Sequence, residues 1–167
     1  DTGGATAKQL IAFLSRLERL EASAEVPLFV LDAGYDPIGL SVDLSEKRRE
    51  VLCRIRSDRV FYTDPPTRLE GAIGRPRRHG DELRLAEAER LPEPEMTASG
   101  SDPVYGRISV AAWGGLHPKL HGRGRWRELD EPPIVRGYVL RVDVEHLPKA
   151  TARAKKTLWL WWSGNGA

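Results

Sequence analysis

Asp32 closes the apolar run of "VPLFVLDAGYD", Val26 to Asp36, with only Ala33 and Gly34 before the next polar group. A carboxylate at the carboxyl end of a strand can be a catalytic group or a metal ligand, because loops at that edge of an open α/β sheet converge on one centre. It can equally begin a turn, since Asp bonds its own backbone readily. A hard divalent cation such as Mg²⁺ takes oxygen ligands and normally keeps several waters, so one protein carboxylate is an incomplete site. Asp36 lies four residues on, but it precedes Pro37 and is read as a helix cap.

The other chemistry-bearing residues are less decisive. His117 and His121 in "HPKLH" are four apart, yet Pro118 lies between them and no third ligand has motif spacing. They are read as surface or DNA-facing groups. His79 belongs to a basic loop and His146 lies close to Pro148, and neither has a Ser or Cys in a nucleophile setting, so triad hydrolysis is unsupported. Cys53 is the single cysteine, which excludes an internal disulfide and a multi-cysteine zinc site, and it reads as a small apolar residue in a strand. Arg54, Arg56 and Arg59, with Arg75, Arg77 and Arg78 of "GRPRRHG", are candidates for phosphate contacts, or else a solvated basic face. Trp113, Trp126, Trp159, Trp161 and Trp162 are candidates for stacking on bases or for the core, with Trp159 and Trp161 on one strand face.

Hydrophobic periodicity supplies the elements that would position these groups. Leu10, Phe13, Leu14, Leu17 and Leu20 recur at spacings of three and four, which predicts an amphipathic helix over residues 5–21 covering one face of a sheet. The unbroken "LFVL" predicts a central strand, buried on both faces, in a parallel or mixed sheet. A helix follows from Ile38 to Glu50, with Pro37 at its first position. In "VLCRIRSDRVFY" Val51, Cys53 and Ile55 alternate with Leu52, Arg54 and Arg56, the period of a strand with one packed and one basic face. "TDPPTRLEGAIGRPRRHGDEL" is a basic Gly- and Pro-rich loop and "RLPEPEMTASGSDP" an acidic one. "VYGRISVAAW", "PIVRGYVLRVDV" and "KKTLWLWWSG" are three further strands.

A chain of 167 residues is long enough for one domain with a core. It contains no run of about 18 apolar residues and no basic start followed by an apolar signal core, which argues for a cytoplasmic protein without a membrane span. The chain does not begin with Met and stops at "SGNGA" directly after an aromatic strand, and it is read as a fragment. The net charge of +2 hides an asymmetry: residues 47–84 carry 11 basic and 6 acidic groups, residues 85–105 carry 1 and 5, and residues 106–167 carry 11 and 5. Two basic blocks around an acidic connector are consistent with a polyanionic partner.

In this order and spacing, "VPLFVLDAGYDP", "VLCRIRSDRVFYTDPP", "GRPRRHG", "YGRISVAAWGGLHPKL" and "LWLWWSG" resemble the central part of bacterial insertion-sequence transposases of the DDE superfamily-endonuclease type. The resemblance spans about Ala5 to Gly164. It implies an α/β chain, a partial ribonuclease-H-like catalytic fold with a β-rich insertion. Residues 1–60 would be part of the core, 61–156 the basic loop and insertion, and 157–167 a strand returning to the core. It also implies DNA cutting and joining by an Asp, Asp, Glu set holding two Mg²⁺ or Mn²⁺ ions, a nucleoid-associated protein, and a dimer on transposon ends and target DNA.

By the same resemblance Asp32 is the second Asp of that set and the metal ligand among these residues. The first Asp and the final Glu belong to segments this chain does not contain, so the chain by itself is expected to be inactive and to hold no metal stably. Two other readings stay open: a non-catalytic nucleic-acid-binding remnant, and a metal-dependent phosphohydrolase, which would need a further acidic or Lys/Ser partner.

Overall fold

The computed structural model describes residues 9, 12, 26–45, 49–122, 124–148 and 156–164. The helix predicted over residues 5–21 lies, apart from residues 9 and 12, outside them. The described elements run β1 (Leu28–Leu31), α1 (Pro37–Leu44), β2 (Glu50–Ile55), β3 (Val60–Tyr62), β4 (Glu82–Arg84), a 3₁₀ segment (Leu85–Arg90), β5 (Met96–Asp102), β6 (Gly106–Leu116), a 3₁₀ turn (Gly124–Trp126), β7 (Gly137–Val144) and β8 (Thr157–Trp162). The class is mixed α/β with a sheet-dominated core, as the sequence predicts.

Six strands form one sheet in the order β1-β2-β8-β7-β6-β5, and β3 and β4 form a separate two-stranded sheet. β1 and β2 are parallel, joined through α1, while every other neighbouring pair is antiparallel. β8 closes the large sheet by pairing with β2 on one side and β7 on the other.

The alternation read in "VLCRI" sets the core. Val51, Cys53 and Ile55 point to one face of the sheet and are buried, and the registers Cys53↔Trp161 and Val139↔Trp161 bring Trp161 and Val139 to that face beside them. α1 covers part of this face with Leu40 and Leu44 against Val51 and Cys53. Phe61 of β3 and Leu83 of β4 cover the rest, against Trp113, Trp159 and Trp161. Phe61 stacks on Trp161 with ring centroids 5.6 Å apart and planes 11° from parallel. The fully buried Trp161 indole donates to Ser41 Oγ at 3.0 Å, and that hydroxyl donates to the Pro37 carbonyl at 2.7 Å, so no polar atom of this pair lacks a partner. Trp113, Trp126 and Trp159 are also core residues. Trp162 is half-buried and faces the other way, against Tyr138 and with its indole nitrogen on Glu50.

Four expectations are corrected. Among the described strands β1 lies at the edge of the sheet and not in its centre: it pairs there only with β2, and Leu28 and Val30 are 47% and 70% exposed. An unbroken apolar run specifies a strand but not how many neighbours it has. α1 ends at Leu44, and Glu50 already belongs to β2. The predicted strand from Val51 to Tyr62 breaks at a turn in which the Arg59 amide donates to the Arg56 carbonyl at 3.2 Å, which sends β3 to the second sheet. The acidic "loop" contains β5, whose Thr, Ser and Gly residues pair along the edge of β6 with little burial.

Gly137 is required by the packing of β8. A methyl group there would lie 2.5 Å from both Trp161 Cζ2 and the Trp162 carbonyl oxygen. Gly137→Ala is therefore expected to cost about 1–3 kcal/mol through overpacking, read as a lower urea midpoint with unchanged slope; an unchanged midpoint would contradict the packing described. Burial, followed by the nearby Asp32 and Asp36 charges, pushes the Cys53 thiol up to about 11. Its alkylation by iodoacetamide at pH 8 is expected only after unfolding, and rapid labelling of the native protein would contradict this placement.

Candidate functional site

Asp32 follows β1 directly, and the parallel register Leu31↔Cys53 places it one step further on, beside Arg54 at the same end of β2. Its carboxylate is 77% exposed. One oxygen accepts the amide of Ala33 at 2.8 Å, the local bond of an Asp at a turn, and the Arg54 guanidinium stands 3.5 Å away. The carbonyl of Asp32 accepts a weak bond from Cys53 Sγ at 3.4 Å, which ties the strand end to β2. Both readings of Asp32 therefore have a geometric counterpart, since it opens a turn and it also presents a free carboxylate edge at the mouth of a groove.

That groove, of about 1130 Å³, runs over the face of the sheet opposite α1. Asp32, Asp58, Arg54, Arg56 and Lys156 bring charge to it, and Ile108, Val142 and Leu158 give it an apolar floor. Asp36 occupies the N-cap position of α1, with the Leu40 amide donating to its carbonyl at 3.1 Å, but its side chain makes no capping bond. The expected cap is thus one of position rather than of side-chain hydrogen bonding.

The donor set does not by itself fit a divalent metal. Among the described residues no three His, Cys, Asp or Glu side chains come together in a way that could hold an ion. Asp32 offers one exposed carboxylate beside a cation, and a hard metal needs more oxygen than that.

The arginines fall along a path. Arg54 and Arg56 share the groove with Asp32. Arg56 also lines an adjoining depression with Arg59, Tyr62 and Lys119. Lys119 in turn lines a third, with Arg75, Arg78, His79 and His121. Consecutive depressions share a cation, so positive groups lead from Asp32 across β3 to the basic loop. Some charge along the path is already matched: Arg56 is bonded to Asp58, and Arg75 lies 3.8 Å from Glu131. Arg78 donates to the Pro132 carbonyl, and Arg77 is exposed outside these depressions. Lys119 also joins the path; it is not among the residues expected from the sequence, where its one signal is its place between the two histidines of "HPKLH". Its ammonium lies 4.2 Å from the centre of the Tyr62 ring, which holds it by a cation–π contact.

His117 contradicts its surface assignment, because it is completely buried. Backbone bonds between Tyr62 and His117, at 2.8 and 3.0 Å, stitch the end of β6 to β3 and carry the imidazole inward. His117 Nε2 lies 2.9 Å from His79 Nδ1, and His117 Nδ1 lies 3.7 Å from Asp64, too far for a hydrogen bond. Two neutral rings satisfy this contact when His79 Nδ1–H donates to His117 Nε2. Arg136 grips Asp64 through two nitrogens, both at 2.9 Å, and that hydrogen bonding holds the Asp64 carboxyl below the usual range. Burial, then the neighbouring His79, lowers His117 to about 4, and burial, then Lys119 and Arg78, lowers His79.

A family model described as DDE superfamily endonuclease matches residues 3–119, which take in Asp32, all six candidate arginines and Lys119. No curated protein matches the chain.

The buried histidine makes stability depend on pH. Unfolded, His117 takes its proton near 6.5; folded, only near 4, so between these values the unfolded state binds more protons and stability falls as pH falls. Above about pH 6.5 the group contributes no slope. Urea midpoints measured from pH 7.5 to 4 are expected to decline below pH 6.5, and His117→Asn is expected to flatten that decline. An identical pH profile in the variant would show that His117 is not held neutral.

Proposed function

Because the chain belongs to the DDE superfamily endonucleases, we propose that it binds DNA and serves in the strand cutting and joining of an insertion-sequence transposase, with Asp32 as the second carboxylate of the Asp, Asp, Glu set. The observation that carries this reading is the path of cations that starts beside Asp32 and leads through Arg54, Arg56, Arg59 and Lys119 to Arg78 and Arg75. A DNA backbone laid along it would replace its condensed counterions with these side chains and bring a phosphate to the Asp32 end of the groove. Electrostatics favours that course, since Arg54 sits next to the carboxylate and offsets its repulsion of a phosphate.

DDE superfamily endonucleases generally use divalent metals, here Mg²⁺ or Mn²⁺. Asp32 would supply one oxygen ligand to such an ion, and its remaining ligands would come from outside the described residues. On this reading residues 1–60 and 157–167 contribute to a ribonuclease-H-like core and 61–156 are an insertion between its parts. The insertion strands β5–β7 extend the core sheet outward from β8. Transposon ends and target DNA are the partners, two copies act together on them, and the protein works at the nucleoid.

A second reading, in which the chain binds nucleic acid without cutting it, is favoured by the lack, among the described residues, of any three acidic, His or Cys side chains grouped so that they could hold a metal. The two readings share the cationic path and differ at Asp32.

Fluorescence anisotropy with a labelled duplex tests the path. Replacing Arg54 and Arg56 together by Ala is expected to weaken binding about tenfold near 100 mM salt and to lower the slope of log K against log salt by about 2. An unchanged slope would remove these residues from the interface. In the full-length protein Asp32→Asn is expected to abolish Mg²⁺-dependent cleavage while leaving duplex affinity equal or slightly higher. Cleavage at the wild-type rate would establish the non-catalytic reading.

A further inference from the structure

The loop between β3 and β4 carries two large apolar side chains that the core does not use. Leu69 is 81% exposed and Ile73 102%, more than any other large apolar residue described. A single exposed Leu needs no explanation, but this pair is displayed on a built support. The Ala72 amide donates to the Leu69 carbonyl at 3.2 Å, making a turn between them. The Arg68 guanidinium donates across that turn to the carbonyls of Ala72 and Gly74, the latter at 2.9 Å. Gly71 and Gly74 have φ of 80° and 97°, a left-handed backbone that glycine adopts without strain. The base of the loop is pinned as well: Thr63 bonds Asp81 and Gly80 through its backbone, at 3.0 and 2.8 Å, and accepts the Asp81 amide on its hydroxyl.

The surroundings of the tip say what it meets. Residues 67–80 carry four arginines against one acidic group, Glu70, and the loop lies at the far end of the cationic path from Asp32. A protein partner or a second copy would find an apolar tip of only two side chains in a loop with three more basic than acidic groups. A duplex would find its backbone matched by that positive charge and its stacked bases matched by the tip.

We propose that the residue 67–78 loop is a DNA-distorting wedge, in which Leu69 and Ile73 enter between base steps while Arg75, Arg77 and Arg78 hold the flanking phosphates. Apolar wedges act in this way in proteins that kink DNA, the unstacking being offset by wider backbone contact. This inference rests on the DNA-binding reading and adds to it a preference for DNA that is already unstacked.

The test compares a perfect duplex of about 25 base pairs with the same duplex carrying a central two-base mismatch, 2-aminopurine being placed beside the mismatch. Wild-type protein is expected to bind the mismatched duplex about tenfold more tightly and to raise 2-aminopurine fluorescence. Replacing Leu69 and Ile73 together by Ser is expected to bring the two affinities within about twofold of each other. Both side chains are exposed, so the double variant keeps the fold. Ile73→Trp, a larger stacking group, is expected to keep or increase the preference when introduced alone. Equal affinities for wild type, or a preference that survives the double Ser variant, would overturn the wedge while leaving DNA binding intact. Failure of wild type to bind either duplex would overturn the DNA-binding reading and the wedge with it. Self-association lost in the double Ser variant, with mismatch preference retained, would assign the two side chains to protein contact instead.

Discussion

β8 is the seam on which the structure depends. It is the strand that joins the parallel pair β1–β2, which carries Asp32, to the antiparallel strands β5–β7. Its penultimate residue, Trp161, is wholly buried, stacked on Phe61 and bonded to Ser41 of α1. One side chain thus fixes a helix, the large sheet and the small sheet to one another. The contact works because Gly137 on β7 has no side chain to meet the indole, and because Ser41 satisfies the indole N–H in an otherwise apolar place. Truncating a core Trp costs about 3–5 kcal/mol, a large share of the stability of a domain of this size.

The functional geometry follows from that seam. With β2 held between β1 and β8, the carboxyl ends of β1 and β2 lie at one edge, and Asp32 and Arg54 become neighbours across a parallel pair. The face opposite α1 becomes the floor of the groove, while the turn after Arg56 swings β3 into the second sheet and carries Arg59 and the basic loop with it. The Tyr62–His117 bridge fixes the other side of that loop, with Lys119 two residues further on. The cations lie in a row because three separate backbone connections hold them there.

Much of this was legible in the chain. Alternation in "VLCRI" and "LWLWW" identified the packed faces correctly, and the apolar run before Asp32 identified a strand with a carboxylate at its end. Four features were not legible, for physical reasons. The number of lateral partners of β1 depends on backbone pairing, which leaves no mark on side-chain composition. β5 pairs through its backbone along a sheet edge and buries little, so its Thr, Ser and Gly residues look like a loop. His117 is buried against His79, 38 residues away, and a spacing test for metal ligands cannot detect a contact that distant. The role of Lys119 was hidden likewise, since the path it completes is made of groups from distant parts of the chain.

If DNA lies along the path beside Asp32, as proposed, a reagent tethered beside that path will reach it. Ser57 lines the groove there, Ser99 lies exposed on β5, and the only native thiol is buried. An iron-chelate cleavage reagent tethered to Ser57→Cys should therefore cut a bound duplex, and the same reagent tethered to Ser99→Cys should leave it intact. Equal cutting from both positions, or cutting from Ser99→Cys alone, would contradict the account.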